Sequence, residues 1–150
     1  MGNLFSDILG GQKKILKDKY INVPITDTML LKLMNQKPIE GISDLAVSFG
    51  EETIVISGKA KKMLVTIPFQ VELKPVHAED RNVYFAVVDM KPLNQGWIKK
   101  VAFNIPPTLT YEEEKVCMDL NSIDIVKKVL FGKIKHMEVK ENKLYVGIGI

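Results

Sequence analysis

The stretch Val65-Thr-Ile-Pro-Phe-Gln-Val-Glu-Leu73 alternates apolar and polar residues with a period of two. This period is typical of a β-strand with one buried face, because successive side chains point to opposite sides of a sheet. Pro68 lacks a backbone N–H group, so it predicts an edge or a bulge at that point of the strand. The residues that we expect to face inward are Val65, Ile67, Phe69, Val71 and Leu73.

The same period continues on both sides of this stretch. Upstream lie alternating runs at residues 45–49 and 53–60, separated by a turn at Gly50. Downstream, a predicted polar turn at residues 77–82 precedes a run at 83–90 that is apolar on both faces. Strands that follow each other closely along the chain usually pair antiparallel. The whole region therefore predicts an antiparallel meander of four strands.

Helical spacing of apolar residues replaces the period of two before and after the meander. We predict one helix over residues 26–36, where a threonine and an aspartate at the start can accept hydrogen bonds from first-turn amides. A later helix is predicted over residues 123–131, capped by Asn121 or Ser122 and ended by a glycine. The inward-facing residues of this later helix are expected to be Ile123, Val126, Val129 and Leu130.

The remaining segments predict further strands. Apolar residues alternate over 101–105 and again over 109–120, which we interpret as one or two strands. A closing hairpin is predicted from alternating residues at 133–139 and 144–150, on either side of a polar turn.

The order of these elements predicts an α+β fold, in which a curved antiparallel β-sheet meander packs around two or three helices. Strands do not alternate regularly with helices, so a parallel sheet is not expected. A chain of 150 residues is long enough to bury a core of its own. We divide it into an amphipathic N-terminal helix at residues 1–20 and a single α+β domain at residues 21–150.

The N-terminal segment differs in character from the rest of the chain. Its apolar residues fall on one stripe when the segment is wound as a helix. We expect this stripe, with the neighbouring lysines, to bind a lipid surface or a protein partner. The Met1-Gly-Asn-Leu-Phe-Ser6 start also matches the short motif for N-myristoylation. The residues of this predicted binding site are Leu4, Phe5, Ile8, Leu9, Ile15, Leu16, Lys13, Lys14 and Lys17.

The net charge of +3 comes almost entirely from lysine, since Arg81 is the only arginine. Arginine is the side chain suited to bidentate recognition of phosphates and bases, so specific binding of nucleic acid is not expected. Lysine suits diffuse attraction to anionic surfaces, including lipid headgroups. No apolar run approaches the roughly 20 residues of a membrane span, and the N-terminus lacks the charge order of a secretory signal. We therefore expect a cytoplasmic protein that can associate peripherally with a membrane.

The sequence contains no recognisable catalytic constellation. His77 lies in the predicted polar turn and His136 in the closing hairpin, where histidine is an ordinary residue. Cys117 is expected to be a small core residue, and Glu112-Glu-Glu114 a solvated strand edge. The sequence therefore predicts no enzyme, no metal site and no cofactor.

The layout of the chain resembles a family of lipid-binding proteins. The residues that carry the resemblance are Ile25-Thr-Asp-Thr-Met-Leu-Leu-Lys-Leu-Met34 before the meander and Ile134-Lys-His-Met-Glu-Val-Lys-Glu-Asn-Lys-Leu-Tyr-Val-Gly-Ile-Gly149 at the end. Over residues 22–150 this layout is similar to that of the bacterial LmeA-like proteins, whose fold is related to the tubular lipid-binding (TULIP) superfamily. The resemblance implies a helix lying in a curved antiparallel sheet, with a groove between them that takes up lipid. It implies no catalytic residue.

The sequence favours two functions over two other readings, in which the N-terminal stripe packs on the chain's own sheet or the protein is an enzyme without a recognisable catalytic site. The first is a non-catalytic lipid- or membrane-associated binding protein with an apolar groove between sheet and helix. The alternative is a protein–protein interaction domain that assembles into a homo-oligomer through the N-terminal apolar stripe.

Overall fold

The computed structural model describes residues 21–93 and 95–150, which form an α+β fold as predicted. The strands are β1 (Ile21–Ile25), β2 (Ile42–Phe49), β3 (Ile54–Lys62), β4 (Val65–Glu79), β5 (Asn82–Lys91), β6 (Leu109–Glu112), β7 (Lys115–Asp119), β8 (Lys133–Lys140) and β9 (Lys143–Gly149). The helices are α1 (Asp27–Met34), α2 (Gly96–Ala102) and α3 (Asp124–Lys127).

The larger sheet has six antiparallel strands in the order β2-β3-β4-β5-β7-β6 and curls into a half-barrel. Its first four strands confirm the predicted meander. Val71 of β4 lies opposite Ile56 of β3 on one side and Met90 of β5 on the other, and all three are buried. At 15 residues, β4 is the longest strand described and runs through the middle of the sheet.

A smaller sheet contains the predicted closing hairpin and one strand that the sequence did not predict. Its order is β1-β9-β8, and Val146 of the central strand β9 lies opposite Val23 of β1 and Met137 of β8. β1 was missed because it has only five residues, includes Pro24, and finds its partner at the other end of the chain. A pairing between such distant segments produces no local pattern in the sequence.

The core lies between the two sheets and the helices. Phe85 of β5, Leu33 of α1 and Ile98 of α2 are among its fully buried side chains. α1 confirms the predicted helix: the Thr26 hydroxyl accepts a hydrogen bond of 3.2 Å from the amide of Met29, as expected of an N-cap.

The prediction of a strand over residues 101–105 was wrong. This region contributes to α2, whose Ile98 and Ala102 are four residues apart and both buried. Only Ile105 pairs in an extended conformation, through a bridge to Leu109. The alternation was misleading because residues 101–105 are too few to distinguish a period of two from the helical period of 3.6.

The predicted helix over residues 123–131 is also shorter in the structure. α3 ends at Lys127, and neither proposed cap is used: the side-chain oxygen of Asn121 accepts a hydrogen bond from Arg81 instead. Because the helix ends early, Leu130 does not face inward and is 65% exposed. Gly132 follows with a φ of +100°, and a Cβ atom there would lie 2.8 Å from the carbonyl oxygen of Gly149.

Two features of β4 differ from the simple alternating pattern. Phe69, Val71 and Leu73 are buried as predicted, whereas Val65 at the start of the strand is 58% exposed. Pro68 lies opposite β3 but beyond the last residue of β5. The strand therefore has one neighbour at this point, and the missing N–H group of proline costs no ladder hydrogen bond on the open side.

Arg81, at the turn between β4 and β5, joins the two sheets through the segment that links α3 to β8. Its Nε donates to the carbonyl oxygen of Gly132 at 3.1 Å, and its Nη1 donates to the carbonyl oxygen of Val126 at 3.0 Å. The adjacent Asp80 carbonyl accepts a hydrogen bond of 2.7 Å from the amide of Ile134. Partial burial lowers the pKa of Arg81, which nevertheless stays charged at neutral pH. We call these contacts the Arg81 clasp.

Candidate functional site

All nine residues of the predicted N-terminal site lie outside the described residues. The same holds for the predicted helix at 1–20, so lipid or partner binding by that segment stays a prediction. The sites discussed below come from residues 21–93 and 95–150.

The turn between β3 and β4 exposes an unusual run of apolar side chains. Met63 is 88% exposed, Leu64 is 97% exposed, and Val65 continues the run at the start of β4. Lys62 pairs with Val65, so Met63 and Leu64 form a two-residue hairpin turn. Two-residue turns ordinarily carry glycine, asparagine or aspartate, because these residues tolerate the required backbone angles and solvent.

The backbone of Met63 shows that this choice carries a steric cost. Its φ is +59°, in the left-handed region where a side chain with a Cβ atom is disfavoured by about 1–2 kcal/mol. Glycine would remove that cost and would also remove the exposed apolar side chain. Eight non-glycine residues in the described part of the chain have a positive φ, and Met63 is the one apolar residue among them, since the other seven are aspartate, glutamate or asparagine. The turn thus keeps methionine at position 63, where the stability of the fold alone favours glycine.

Positive charge and an indole ring border the same turn. Lys61 and Lys62 precede it and are exposed. The Nζ of Lys62 lies 5.2 Å from the centroid of the Trp97 ring at the start of α2, within range of a cation–π contact. The Trp97 Nε1 donates a hydrogen bond of 2.7 Å to Gln95. We call this surface, formed by Lys61, Lys62, Met63, Leu64, Val65 and Trp97, the hairpin tip.

The sequence contains a signal for the hairpin tip that the period of two does not capture. Two lysines followed by two large apolar residues stand where the alternating strands require a turn. The period of two assigns Val65 to the core, although this residue is 58% exposed. A turn without glycine, asparagine or aspartate was itself the informative feature.

Of the candidate residues for chemistry, His77 and Cys117 lie in the large sheet, whereas His136 lies in β8 of the small sheet, within the predicted closing hairpin. His77 lies in β4 instead of the predicted polar turn, and its ring stacks on Tyr84 with centroids 4.4 Å apart. Cys117 is half-buried, so its assignment to the core was wrong; Val116 and Met118 face inward instead. A hydrogen bond with Cys117 raises the pKa of Tyr84. Among the described residues, no group of three or more His, Cys, Asp or Glu side chains could hold a metal ion.

Glu114 has a more specific role than the predicted solvated edge. Its Oε2 lies 2.6 Å from the Nζ of Lys99, a largely buried lysine of α2, and its Oε1 accepts a hydrogen bond of 2.6 Å from the Tyr111 hydroxyl. Burial acts to lower the pKa of Lys99, but the hydrogen bond to Glu114 and the nearby charges raise it overall. The hydrogen bonds from Lys99 and Tyr111 lower the pKa of Glu114. This arrangement fixes α2 to the turn between β6 and β7.

We expect Glu114→Gln to lower stability at pH 7 and to have a smaller effect in acid. A carboxylate with a lowered pKa stabilises the folded state above its unfolded pKa of about 4.3, and this contribution is lost as the pH falls through the folded pKa. Urea unfolding at pH 7 and pH 3 measures the difference, with Glu113→Gln as the exposed control from the same turn. An equal loss of stability at both pH values would contradict an ionic role for Glu114.

A cavity of about 440 Å³ lies between α1 and α3, apart from the hairpin tip. Met29, Leu33 and Ile123 contribute apolar walls, and Lys32 and Lys128 also line it. The predicted lipid groove between sheet and helix is compatible with the curled sheet, and it stays a prediction.

Within the described part of the chain, no helix has the length and apolar character needed to cross a membrane. Comparisons with protein-family models, with curated proteins and with solved structures find no match to this chain.

Proposed function

We propose that this protein is a non-catalytic binding protein that associates reversibly with anionic membrane surfaces through the hairpin tip. The observation that carries the proposal is the pair Met63 and Leu64, exposed at a turn where Met63 adopts a disfavoured backbone conformation. Lysines on the preceding strand and the indole ring of Trp97 match the chemistry of a lipid headgroup region, where tryptophan and basic residues concentrate.

The expected energies support reversible binding. Full burial of a methionine or leucine side chain contributes about 1.5–3 kcal/mol, and a lysine near an anionic surface about 1 kcal/mol. The free energy gained from partial insertion of two apolar side chains and from the attraction of two lysines therefore exceeds a modest entropic cost of immobilising the protein. Since both contributions are needed, binding should weaken when either the anionic lipid or the apolar pair is removed.

The test is flotation of the full-length chain with vesicles of phosphatidylcholine containing phosphatidylserine. Met63→Gly/Leu64→Ser is expected to bind roughly 30- to 150-fold more weakly, because the variant removes two inserted side chains worth about 1–1.5 kcal/mol each when partly buried. Val76→Thr/Val88→Thr, which changes two exposed apolar residues elsewhere on the sheet, should bind like the unchanged chain.

Stability provides an independent check on the same variant. Glycine at position 63 relieves the left-handed strain but increases the entropy of the unfolded chain, so the free energy of unfolding should change by less than about 1 kcal/mol. Weak binding of this variant would then result from the loss of the two surface side chains and not from unfolding. Undiminished flotation of Met63→Gly/Leu64→Ser, with loss of flotation in Leu9→Asp, would assign binding to the N-terminal stripe and reject the hairpin tip.

A further inference from the structure

A second exposed apolar pair occupies the segment between α3 and β8. Leu130 is 65% exposed and Phe131 is 57% exposed. Exposed lysines surround them in sequence: Lys127 and Lys128 precede the pair and Lys133 follows it. We call residues 127–133 the far loop.

The far loop and the hairpin tip lie at opposite ends of β4. The hairpin tip adjoins Val65, the first residue of that strand, whereas the turn after its last residue carries Arg81. The Arg81 Nε binds the carbonyl oxygen of Gly132 at 3.1 Å, which ties the far loop to this second turn. A strand of 15 residues that rises by about 3.3 Å per residue is at most about 45 Å long, and the two bulges of β4 and the curl of the sheet shorten the direct distance between the two surfaces.

The charge of the far loop matches that of the hairpin tip. Over residues 124–135, Asp124 is the only acidic residue beside four lysines. A cationic border around two large apolar side chains suits an anionic lipid surface. Two side chains are too few for a stable protein interface, which needs about 800 Å² from each partner. The composition therefore favours a bilayer over a protein as the occupant.

We propose that the protein bridges two anionic bilayers, with the hairpin tip in one and the far loop in the other. The proposal rests on the membrane association proposed above and extends it to a second surface. The two surfaces adjoin opposite ends of β4, and we infer from this placement that they engage two separate bilayers instead of one flat bilayer. The Arg81 clasp fixes the far loop to the large sheet, so the strand β4 acts as a spacer between the two bilayers.

The test is clustering of two vesicle populations that carry donor and acceptor dyes and contain phosphatidylserine, followed by energy transfer between them. The full-length chain should cluster them, and vesicles of phosphatidylcholine alone should stay dispersed. Met63 and Leu64 are 88% and 97% exposed against 65% and 57% for Leu130 and Phe131, so the hairpin tip is the stronger of the two contacts and the far loop alone binds weakly. Leu130→Ser/Phe131→Ser should therefore reduce clustering at least tenfold while flotation stays within about threefold. Both side chains are exposed, so the variant should fold, and its thermal unfolding confirms this. Val76→Thr/Val88→Thr serves as the control.

Three outcomes of these experiments would contradict the proposals, and each contradicts a different part of them. A chain that floats with vesicles but never clusters them would overturn bridging and leave the hairpin tip as a single membrane contact. A chain that does neither would overturn both proposals. Clustering that survives Leu130→Ser/Phe131→Ser would overturn the role of the far loop, and sedimentation would then show whether paired copies of the chain join the vesicles.

Discussion

Replacing Arg81 by alanine is expected to lower the free energy of unfolding by about 3 kcal/mol. The variant leaves the carbonyl oxygens of Gly132 and Val126 without their charged donor. A hydrogen bond to a charged group contributes about 1.5–3 kcal/mol, and partial exposure places these bonds toward the lower end. Urea unfolding measures the change through the midpoint and slope of the transition.

Arg81→Lys is the matched control because it keeps the charge but cannot reproduce the guanidinium geometry. We expect it to recover less than half of the loss. Asn121→Ala removes a single acceptor of the same guanidinium and should cost about 1 kcal/mol. If Arg81→Ala unfolds within about 0.5 kcal/mol of the unchanged chain, the clasp does not stabilise the contact between the sheets.

Replacing Phe85 by alanine should have a still larger effect, a loss of about 3–5 kcal/mol. Phe85 is fully buried in β5, between Pro75 of β4 and Val116 of β7. Truncation removes the transfer free energy of the ring and leaves a cavity in the centre of the large sheet. Chemical unfolding at neutral pH, monitored by tryptophan fluorescence, measures the loss.

Phe85→Leu is the control for this substitution, because it preserves much of the volume and should cost about 1–2 kcal/mol. A small effect of Phe85→Ala would mean that neighbouring side chains collapse into the space. That result would contradict a tightly packed interior behind β5.

The regular parts of the fold were predictable because their pattern is local. The meander follows from alternation around Phe69 and Val71, and α1 follows from helical spacing with Thr26 at its cap. Two elements depended on distant contacts instead. The partner of β1 is β9 at the other end of the chain. The last residues of α2 also fit an alternating strand pattern, so the local sequence did not identify the helix.

The patterns that predicted the fold assigned residues of both candidate surfaces to the core. Alternation placed Val65 in the core, and helical spacing did the same for Leu130, yet both are exposed. Each pattern continues in the sequence after the packed interior has ended, and at the start of β4 the unusual composition of the turn is the signal that marks this limit. Departures of this kind are expected where a residue is retained for a role other than stability. The predicted N-terminal site lies outside the described residues, so these two surfaces add to it without replacing it.

The pairing of β1 with β9 has a consequence for synthesis on the ribosome. β1 leaves the exit tunnel early, while its partner is added only after almost all of the intervening chain. The meander from β2 to β5 can pair as it emerges, since each strand follows its neighbour directly. We therefore expect the nascent chain to carry β1 as an unpaired strand until β9 has left the exit tunnel, a period in which a chaperone can bind β1.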